Sequence, residues 1–270
     1  MIFIYNRSVK GYSHEASGTV CQDHSLKFID NKYKIITACD GHGGKQYIRS
    51  DKGSMFASMA VVEVFSKYSE IKLHHLIATK ATNKLKLEIL CKWNELIEQD
   101  YSNNPFTESE LKKLDEEDIF KLENNFVVAY GTTLNAAVLT SKYLVCIQIG
   151  DGGVFLLKKK KIEVAFPEND ENVANITNSL CGDKAYNNLF INTFNREKFN
   201  GVIICSDGLL GPYQTYTNFY DNFVSPFMKD YKCITFEKIT ELNDFIDELA
   251  SKKGIGDDVT FASILYDGIV

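Results

Sequence analysis

Short apolar runs separated by turn residues occupy much of the chain, and this pattern is typical of β-strands. The run 34–39 has apolar side chains at successive positions, so it predicts a strand that is buried on both faces. Comparable runs predict further strands at 1–9, 24–29, 132–139, 143–149, 154–157, 162–166, 189–191, 201–205 and 259–265. The turn at 30–32 predicts a hairpin, and the runs from 132 to 166 predict an antiparallel meander.

Helical spacing of apolar residues occurs in three other segments and predicts helices at 51–69, 74–99 and 236–251. Ser50 or Asp51 is placed to cap the first of these helices, because short polar side chains accept hydrogen bonds from the first free backbone N–H groups.

A charged segment from 107 to 123 contains seven acidic residues and three lysines. Thr107 and Glu110 have the spacing of a capping box at its start. We predict a solvated helix here, with a helix that docks on a partner as the alternative. The segment 213–231 is rich in aromatic residues, and we expect it to be mobile.

Composition limits the class of protein. The chain has 270 residues, of which 44% are hydrophobic, and no repeat or linker divides it, so we predict one domain over 1–270 with a helical insertion around 72–125. A net charge of −6 disfavours nucleic acid as a partner. No apolar run is long enough to span a membrane. Seven scattered cysteines favour free thiols, so we expect a cytoplasmic protein, which we also expect to be a monomer.

Acidic residues recur where the apolar runs end. Asp-Gly dipeptides follow three runs, at Asp40, Asp151 and Asp207, and the acidic pair Asp257 and Asp258 precedes the last run. One Asp-Gly dipeptide is a common turn signal, so each of them taken alone indicates no more than a turn. Their repetition at strand ends favours another interpretation, in which the carboxylates meet in one cluster.

Clustered carboxylates repel one another, and a divalent cation is the simplest group that neutralises them. Oxygen ligands suit Mg²⁺ or Mn²⁺, whereas Zn²⁺ prefers histidine and cysteine. The acids carry enough charge for two ions, which together can activate a water molecule and polarise a phosphoryl group. His42, two residues after Asp40, can protonate the departing alkoxide. The pattern therefore predicts hydrolysis of a phosphate ester.

Six motifs, in this order, resemble those of the metal-dependent serine/threonine protein phosphatases of the 2C type, the PPM family. They are Gln22-Asp23, Asp40-Gly41-His42-Gly43-Gly44, Gly131-Thr132-Thr133, Ile149-Gly150-Asp151-Gly152, Cys205-Ser206-Asp207-Gly208 and Asp257-Asp258-Val259-Thr260. The resemblance implies an α+β fold, an α/β/β/α sandwich of two antiparallel sheets flanked by helices. It also implies that the substrate is a phosphorylated protein from a serine/threonine kinase pathway.

The resemblance assigns roles to individual residues. Asp40 would bridge two Mn²⁺ or Mg²⁺ ions, and the Gly41 carbonyl with Asp23 would complete one site. Asp207 and Asp257 would complete the other site.

Three more roles follow from the same resemblance. Asp151 would hold a third, weaker ion, and His42 would be the general acid. Asp258 would support its neighbours without binding metal directly.

Two departures from the family pattern concern the loop before Asp23. Gln22 stands where many eukaryotic members have glutamate, which makes the chain similar to bacterial members. The usual phosphate-binding arginine is missing, since 16–21 contains no basic residue. His14 is the nearest candidate to bind substrate phosphate, although a loop histidine is more often only solvated or hydrogen-bonded.

Two other functions remain open from the sequence. Without the arginine, the chain could be a catalytically silent relative that binds a partner. The same metal chemistry would also serve a nuclease or a small-molecule phosphatase, although the acidic composition disfavours nucleic acid.

Overall fold

Two antiparallel β-sheets form the centre of the computed structural model, which describes residues 2–158, 161–166, 178–230 and 235–266. The strands in these ranges are β1 (Ile2–Val9), β2 (His24–Ile29), β3 (Lys34–Cys39), β4 (Leu134–Leu139), β5 (Tyr143–Ile149), β6 (Gly153–Lys158), β7 (Lys161–Val164), β8 (Phe190–Asn195), β9 (Gly201–Cys205) and β10 (Val259–Tyr266). One sheet has the order β1-β10-β9-β6-β7, and the other has the order β2-β3-β4-β5-β8.

The helices lie before, between and after these strands. Those in the described residues are α1 (Tyr12–Ser17), α2 (Ser50–Ser66), α3 (Glu70–Ala78), α4 (Asn83–Asn103), α5 (Glu108–Leu111), α6 (Glu116–Asn124), α7 (Ala185–Asn188), α8 (Asp207–Leu210), α9 (Tyr216–Phe219), α10 (Ser225–Asp230) and α11 (Phe236–Ala250). Short 3₁₀ segments occur at Phe126–Tyr130 and Arg196–Lys198, and a π-helical turn occurs at Tyr220–Val224. No helix among the described residues is both long and apolar enough to cross a bilayer.

Alternation along the strands divides the core into three apolar layers. Ile36 and Ala38 of β3 face the other sheet and pack in the layer between the sheets. Their neighbours Ile35 and Cys39 face outward and pack against the helices on that side, together with Trp93 of α4. This arrangement confirms the strand predicted at 34–39 and its burial on both faces.

A third apolar layer covers the outer face of the other sheet. It contains Phe261 of β10, Phe223 of the π-helical turn and Ile246 of α11. Helices therefore lie outside both sheets, which confirms the predicted α/β/β/α sandwich. The helix predicted at 236–251 is confirmed as α11, and the hairpin around 30–32 is confirmed as β2 and β3.

The predicted meander over 132–166 is wrong in one respect, because its strands are divided between the two sheets. β5 pairs with β4 and β8, whereas β6 pairs with β7 and β9. The chain changes sheet at Gly150 and Gly152, whose φ angles of 92° and 83° are left-handed and favour glycine. This crossing places Asp151 between the sheets' strand ends.

Several predicted helices have different bounds. The helix predicted at 74–99 is two helices, α3 and α4, separated by a turn at 79–82 in which Lys80 has a φ of 55°. The charged segment forms two short helices, α5 and α6, and the capping box of Thr107 and Glu110 is confirmed at the first of them.

Two local predictions are also wrong. The first long helix begins at Ser50 itself, and its N-cap residue Arg49 makes no side-chain capping bond. The loop expected to contain His14 includes a helix, α1. The aromatic segment expected to be mobile forms α9, a π-helical turn and α10 up to residue 230, and several of its rings pack on the outer face of the sheet, while 231 lies outside the described residues. Its mobility stays a prediction.

Candidate metal centre and active site

The sheet registers bring the predicted aspartates to one end of the sandwich. Asp40 follows β3 and Asp23 precedes β2, and these two strands pair so that His24 lies opposite Cys39. In the other sheet, Cys205 pairs with both Phe261 and Gly153. The acids next to these positions are Asp207 after β9, Asp257 before β10 and Asp151 before β6.

Backbone hydrogen bonds to the Gly131-Thr132-Thr133 segment fix the tip of β3. The Asp40 N–H donates to Thr133 Oγ1 at 3.0 Å. The Asp40 carbonyl accepts from the Thr133 N–H at 2.8 Å and from Thr132 Oγ1 at 2.9 Å. Because these bonds use the main chain of Asp40, its carboxylate is left to project from the strand end.

Electrostatic crowding shows that the carboxyl groups are close together. Burial raises the pKa of Asp40 well above its usual value, and the charges of Asp23, Asp207 and Asp151 raise it further. Asp40 in turn lies close enough to Asp207 for the two carboxyl groups to affect each other's pKa. The cluster therefore contains acids that cannot all be charged without a cation.

Asp23 and Asp207 have raised pKa values for the same reasons. Burial raises the pKa of Asp23 to about 8, with the charge of Asp258 adding to the effect and the nearby polar groups of Thr260 and Ser206 opposing it. Burial is also the largest cause of the raised pKa of Asp207. The charges of Asp151 and Asp257 raise this pKa further. Asp207 itself remains exposed to solvent as a residue.

The donor atoms fit hard divalent cations better than zinc. Asp23 Oδ2 is buried and has no hydrogen-bond partner in the described part of the chain, which is the condition of a ligand oxygen. Within the described ranges, no three His, Cys, Asp or Glu side chains converge closely enough to hold an ion as they stand. Carboxylate and carbonyl oxygens therefore match Mn²⁺ or Mg²⁺ in chemistry, with side-chain positions that would have to close around an ion.

His42 is held on three sides. Its N–H donates to the Gly131 carbonyl at 3.1 Å, and its carbonyl accepts from Gln22 Nε2 at 3.0 Å. The imidazole lies edge-on to the Tyr47 ring, with 4.9 Å between ring centroids. A Cβ atom on residue 131 would lie 2.5 Å from the Tyr47 ring and 2.9 Å from His42 Cδ2, so this contact requires glycine.

The surroundings of His42 oppose its protonation. Burial lowers the pKa of the imidazole, and the nearby charge of Asp151 opposes this effect. The imidazole is therefore harder to protonate at this position than a histidine in water. The contact with Tyr47 was not expected from the sequence, and no signal in the motif pointed to it.

Asp258 joins the two loops beside the cluster. Its Oδ1 accepts from the Gly11 N–H and its Oδ2 from the Gln22 N–H, both at 2.7 Å. Its own N–H donates to Asp257 Oδ1 at 2.8 Å. These contacts fit the supporting role that the resemblance implies for Asp258.

His14 lies against the same carboxylate. Its Nδ1 is 2.9 Å from Asp258 Oδ1, as a close ion-pair contact that lacks the alignment of a hydrogen bond. The side chains are mostly buried, with exposed fractions of 19% for His14 and 4% for Asp258. Any contact of His14 with phosphate would therefore use Nε2.

Two antiparallel sheets with helices outside them define an α+β protein, and the aspartates at the strand ends suit divalent cations. A search with family models matches residues 10–245 to the protein phosphatase 2C family, and the chain belongs to this family. Its members and structural neighbours are serine/threonine protein phosphatases, which assigns the chain to the phosphoric monoester hydrolases.

Solved structures share the fold at low sequence identity. Serine/threonine phosphatase Stp1 from Staphylococcus aureus has a TM-score of 0.63 and 18% identity, over 99% of this chain and 96% of that one. The catalytic domain of phosphatase PstP, solved with two manganese ions, has a TM-score of 0.57 and 16% identity, over 98% of this chain and 99% of that one. PppA, a regulatory component of T6SS in Pseudomonas aeruginosa, has a TM-score of 0.56 and 15% identity, over 98% of this chain and 97% of that one. No curated protein matches the chain.

Proposed function

We propose that this chain hydrolyses phosphoserine and phosphothreonine esters in proteins with the help of two Mn²⁺ or Mg²⁺ ions and a third, weaker one. The observation that carries the proposal is the group of acids with raised pKa values around Asp40, which stay charged together only beside cations. When bound, such ions lower the pKa of water and polarise the phosphoryl oxygens.

The acids divide between the ion positions. Asp40 would contact both ions, with Asp23 and the Gly41 carbonyl on one side. Asp207 and Asp257 would hold the other ion. The buried Oδ2 of Asp23 supports this division, because an ion would supply its missing partner.

Asp151 would hold the weaker third ion. Its exposed position at the crossing between the sheets supports this role, since water would complete most of the coordination there.

His42 is the proton donor to the departing serine or threonine oxygen. A serine alkoxide is a poor leaving group and gains from a proton, which a histidine fixed beside the acids can supply. The backbone bonds of His42 and its contact with Tyr47 fix the imidazole before the substrate arrives, and this supports the assignment.

His14 is proposed to contact the substrate phosphate through Nε2. The carboxylate of Asp258 at Nδ1 would orient the ring for this contact. We expect His14→Ala to raise KM more than it lowers kcat, as measured with a phosphothreonine peptide. A variant with lower stability and unchanged KM would show that His14 only supports Asp258.

The partner is a protein that a serine/threonine kinase has phosphorylated. We place this chain itself in the cytoplasm as a monomer. The cysteines in the described residues are all free, which supports a reducing compartment. The acidic composition gives no support for nucleic acid as a partner. No membrane association enters this proposal.

The test compares p-nitrophenyl phosphate with a phosphothreonine peptide, with Mn²⁺ present and after chelation. We expect hydrolysis of both substrates only with the metal. Binding of a phosphothreonine peptide without any turnover would instead support a catalytically silent binding protein. Turnover of small phosphate esters alone would indicate a small-molecule phosphatase.

A further inference from the structure

Gln22 lies between three elements at the active site and is only 9% exposed. Its N–H donates to Asp258 Oδ2, and its carbonyl accepts from the Gly41 N–H at 3.2 Å and from Ser54 Oγ at 2.7 Å. Its side-chain Nε2 donates to the His42 carbonyl at 3.0 Å and to Ser50 Oγ at 2.5 Å. The backbone bonds need no particular side chain, but the Nε2 bonds do.

The chemistry of the two acceptors fixes the orientation of the amide. The His42 carbonyl oxygen can only accept a hydrogen bond, so the atom that faces it must carry hydrogen. The Ser50 hydroxyl can accept or donate, so it tolerates either atom. Of the two links, only that to His42 requires a donor at residue 22.

The link acts on the peptide that carries the imidazole. The N–H of His42 is bound to Gly131 O on the strand side, and the carbonyl is bound to Gln22 on the helix side. With both polar groups fixed, the direction of the His42 Cα–Cβ bond is fixed as well. The Tyr47 ring then limits how far the imidazole can rotate.

We propose that Gln22 is a positioning residue for His42 and that its amide N–H₂ is the group that does this. The proposal rests on the proposed function, because it assumes that His42 protonates the leaving group. An apolar side chain at the same place would leave the His42 carbonyl without this donor.

Two substitutions separate the two links of the amide. Gln22→Met keeps a side chain of similar length but removes both links of the amide. Ser50→Ala removes only the link to Ser50 and leaves the His42 carbonyl bonded. Ser50→Ala is therefore the matched control for any effect on packing around residue 22.

We expect Gln22→Met to lower kcat for a phosphothreonine peptide at least about tenfold, with a much smaller change for p-nitrophenyl phosphate and little change in KM. Ser50→Ala should leave the ratio of the two substrates at the wild-type value. In a His42→Ala background, Gln22→Met should cause no further change in that ratio. Equal losses on both substrates, or a loss that persists without His42, would overturn the proposal.

Amide hydrogen exchange gives a readout that does not depend on turnover. Gln22→Met should speed exchange of the His42 N–H, because the backbone of His42 is released on one side, and Ser50→Ala should not. Unchanged exchange in Gln22→Met overturns the proposal even if the protein has no phosphatase activity, whereas an inactive wild type contradicts only the proposed function. If Gln22→Met does not fold, Gln22→Ala removes the same donor, and the same outcomes apply.

Discussion

At the scale of single residues, His42 illustrates how the main chain prepares a side chain for chemistry. Burial disfavours its charged form, while the backbone bonds to Gly131 and Gln22 hold it in place. A fixed position lowers the entropic cost of proton transfer. The benefit is larger for a substrate whose leaving group needs a proton to depart.

Loss of His42 should therefore depend on the leaving group. We expect His42→Ala to lower kcat by roughly 10²–10⁴-fold for a phosphoserine or phosphothreonine peptide, because the alkoxide leaves without its proton. The loss should be much smaller for p-nitrophenyl phosphate, whose leaving group is stable as an anion. The measurement is the ratio of the two losses at saturating Mn²⁺. Equal losses would mean that His42 positions water or metal and donates no proton.

At the scale of elements, periodicity identified the strands and most helices but not their partners. The composition of the run at 34–39 indicates its burial directly, since both faces of the strand carry apolar side chains. The division of β5 and β6 between two sheets could not be predicted from local pattern, because it depends on which strand ends approach each other in three dimensions. The same holds for the bridging amide of Gln22, whose partners lie 20 and 28 residues away.

A buried arginine joins the charged helices to the first long helix. Arg49 is 4% exposed and donates to the carbonyls of Asn104 and Pro105, to the Tyr130 hydroxyl and to Glu110. Nothing in the sequence indicated this role for Arg49, since a basic residue after a glycine-rich tip is usually solvated. The contact makes the segment around 104–110 part of the same packed structure as α2.

The Arg49 contact predicts a dependence of stability on pH. The Arg49 guanidinium beside Glu110 is the largest cause that lowers the pKa of Glu110, from its usual 4.5 to about 2. A lowered carboxyl pKa stabilises the fold above the usual value, and this stability is lost as pH falls from about 4.5 towards 2. The contribution is about 3.5 kcal/mol at most, because the pKa is lowered from 4.5 to about 2 and each pKa unit corresponds to about 1.4 kcal/mol.

The measurement is the free energy of unfolding by urea at neutral pH and at about pH 3. Glu110→Gln should lose stability at neutral pH and should show a smaller decrease on acidification than the wild type. Glu108→Gln, at an exposed position on the same helix, is the matched control and should follow the wild type. A wild type and a Glu110→Gln variant with the same decrease would contradict the role of the ion pair.

At the scale of the whole molecule, the acids come from five strand ends in both sheets, so the fold alone assembles them. The sequence predicted that they would cluster, because carboxylates recur at strand ends, but it could not predict which acids affect one another. In the structure, the charge of Asp207 from one sheet raises the pKa of Asp40 from the other sheet. A cation at this place would connect the two sheets directly.

The metal should therefore stabilise the whole fold and not only support turnover. We expect Mn²⁺ to raise the Tm of the wild type, since a ligand that binds the folded state alone shifts the unfolding equilibrium by RT ln(1 + [Mn²⁺]/Kd). Asp40→Asn and Asp207→Asn should each abolish turnover and remove most of the Mn²⁺-induced shift. Their metal-free Tm should equal or exceed that of the wild type, because each substitution removes a carboxylate from a crowded, buried group.

Asp244→Asn, an exposed change on α11, is the matched control for the loss of one negative charge and should keep both turnover and the metal-induced shift. The comparison separates two causes of inactivity. If either cluster variant is destabilised without metal, the acids contribute to the fold by hydrogen bonding and not by holding an ion. If both variants keep the full Mn²⁺-induced shift, the cation lies elsewhere, and Asp40 and Asp207 do not connect the sheets through it.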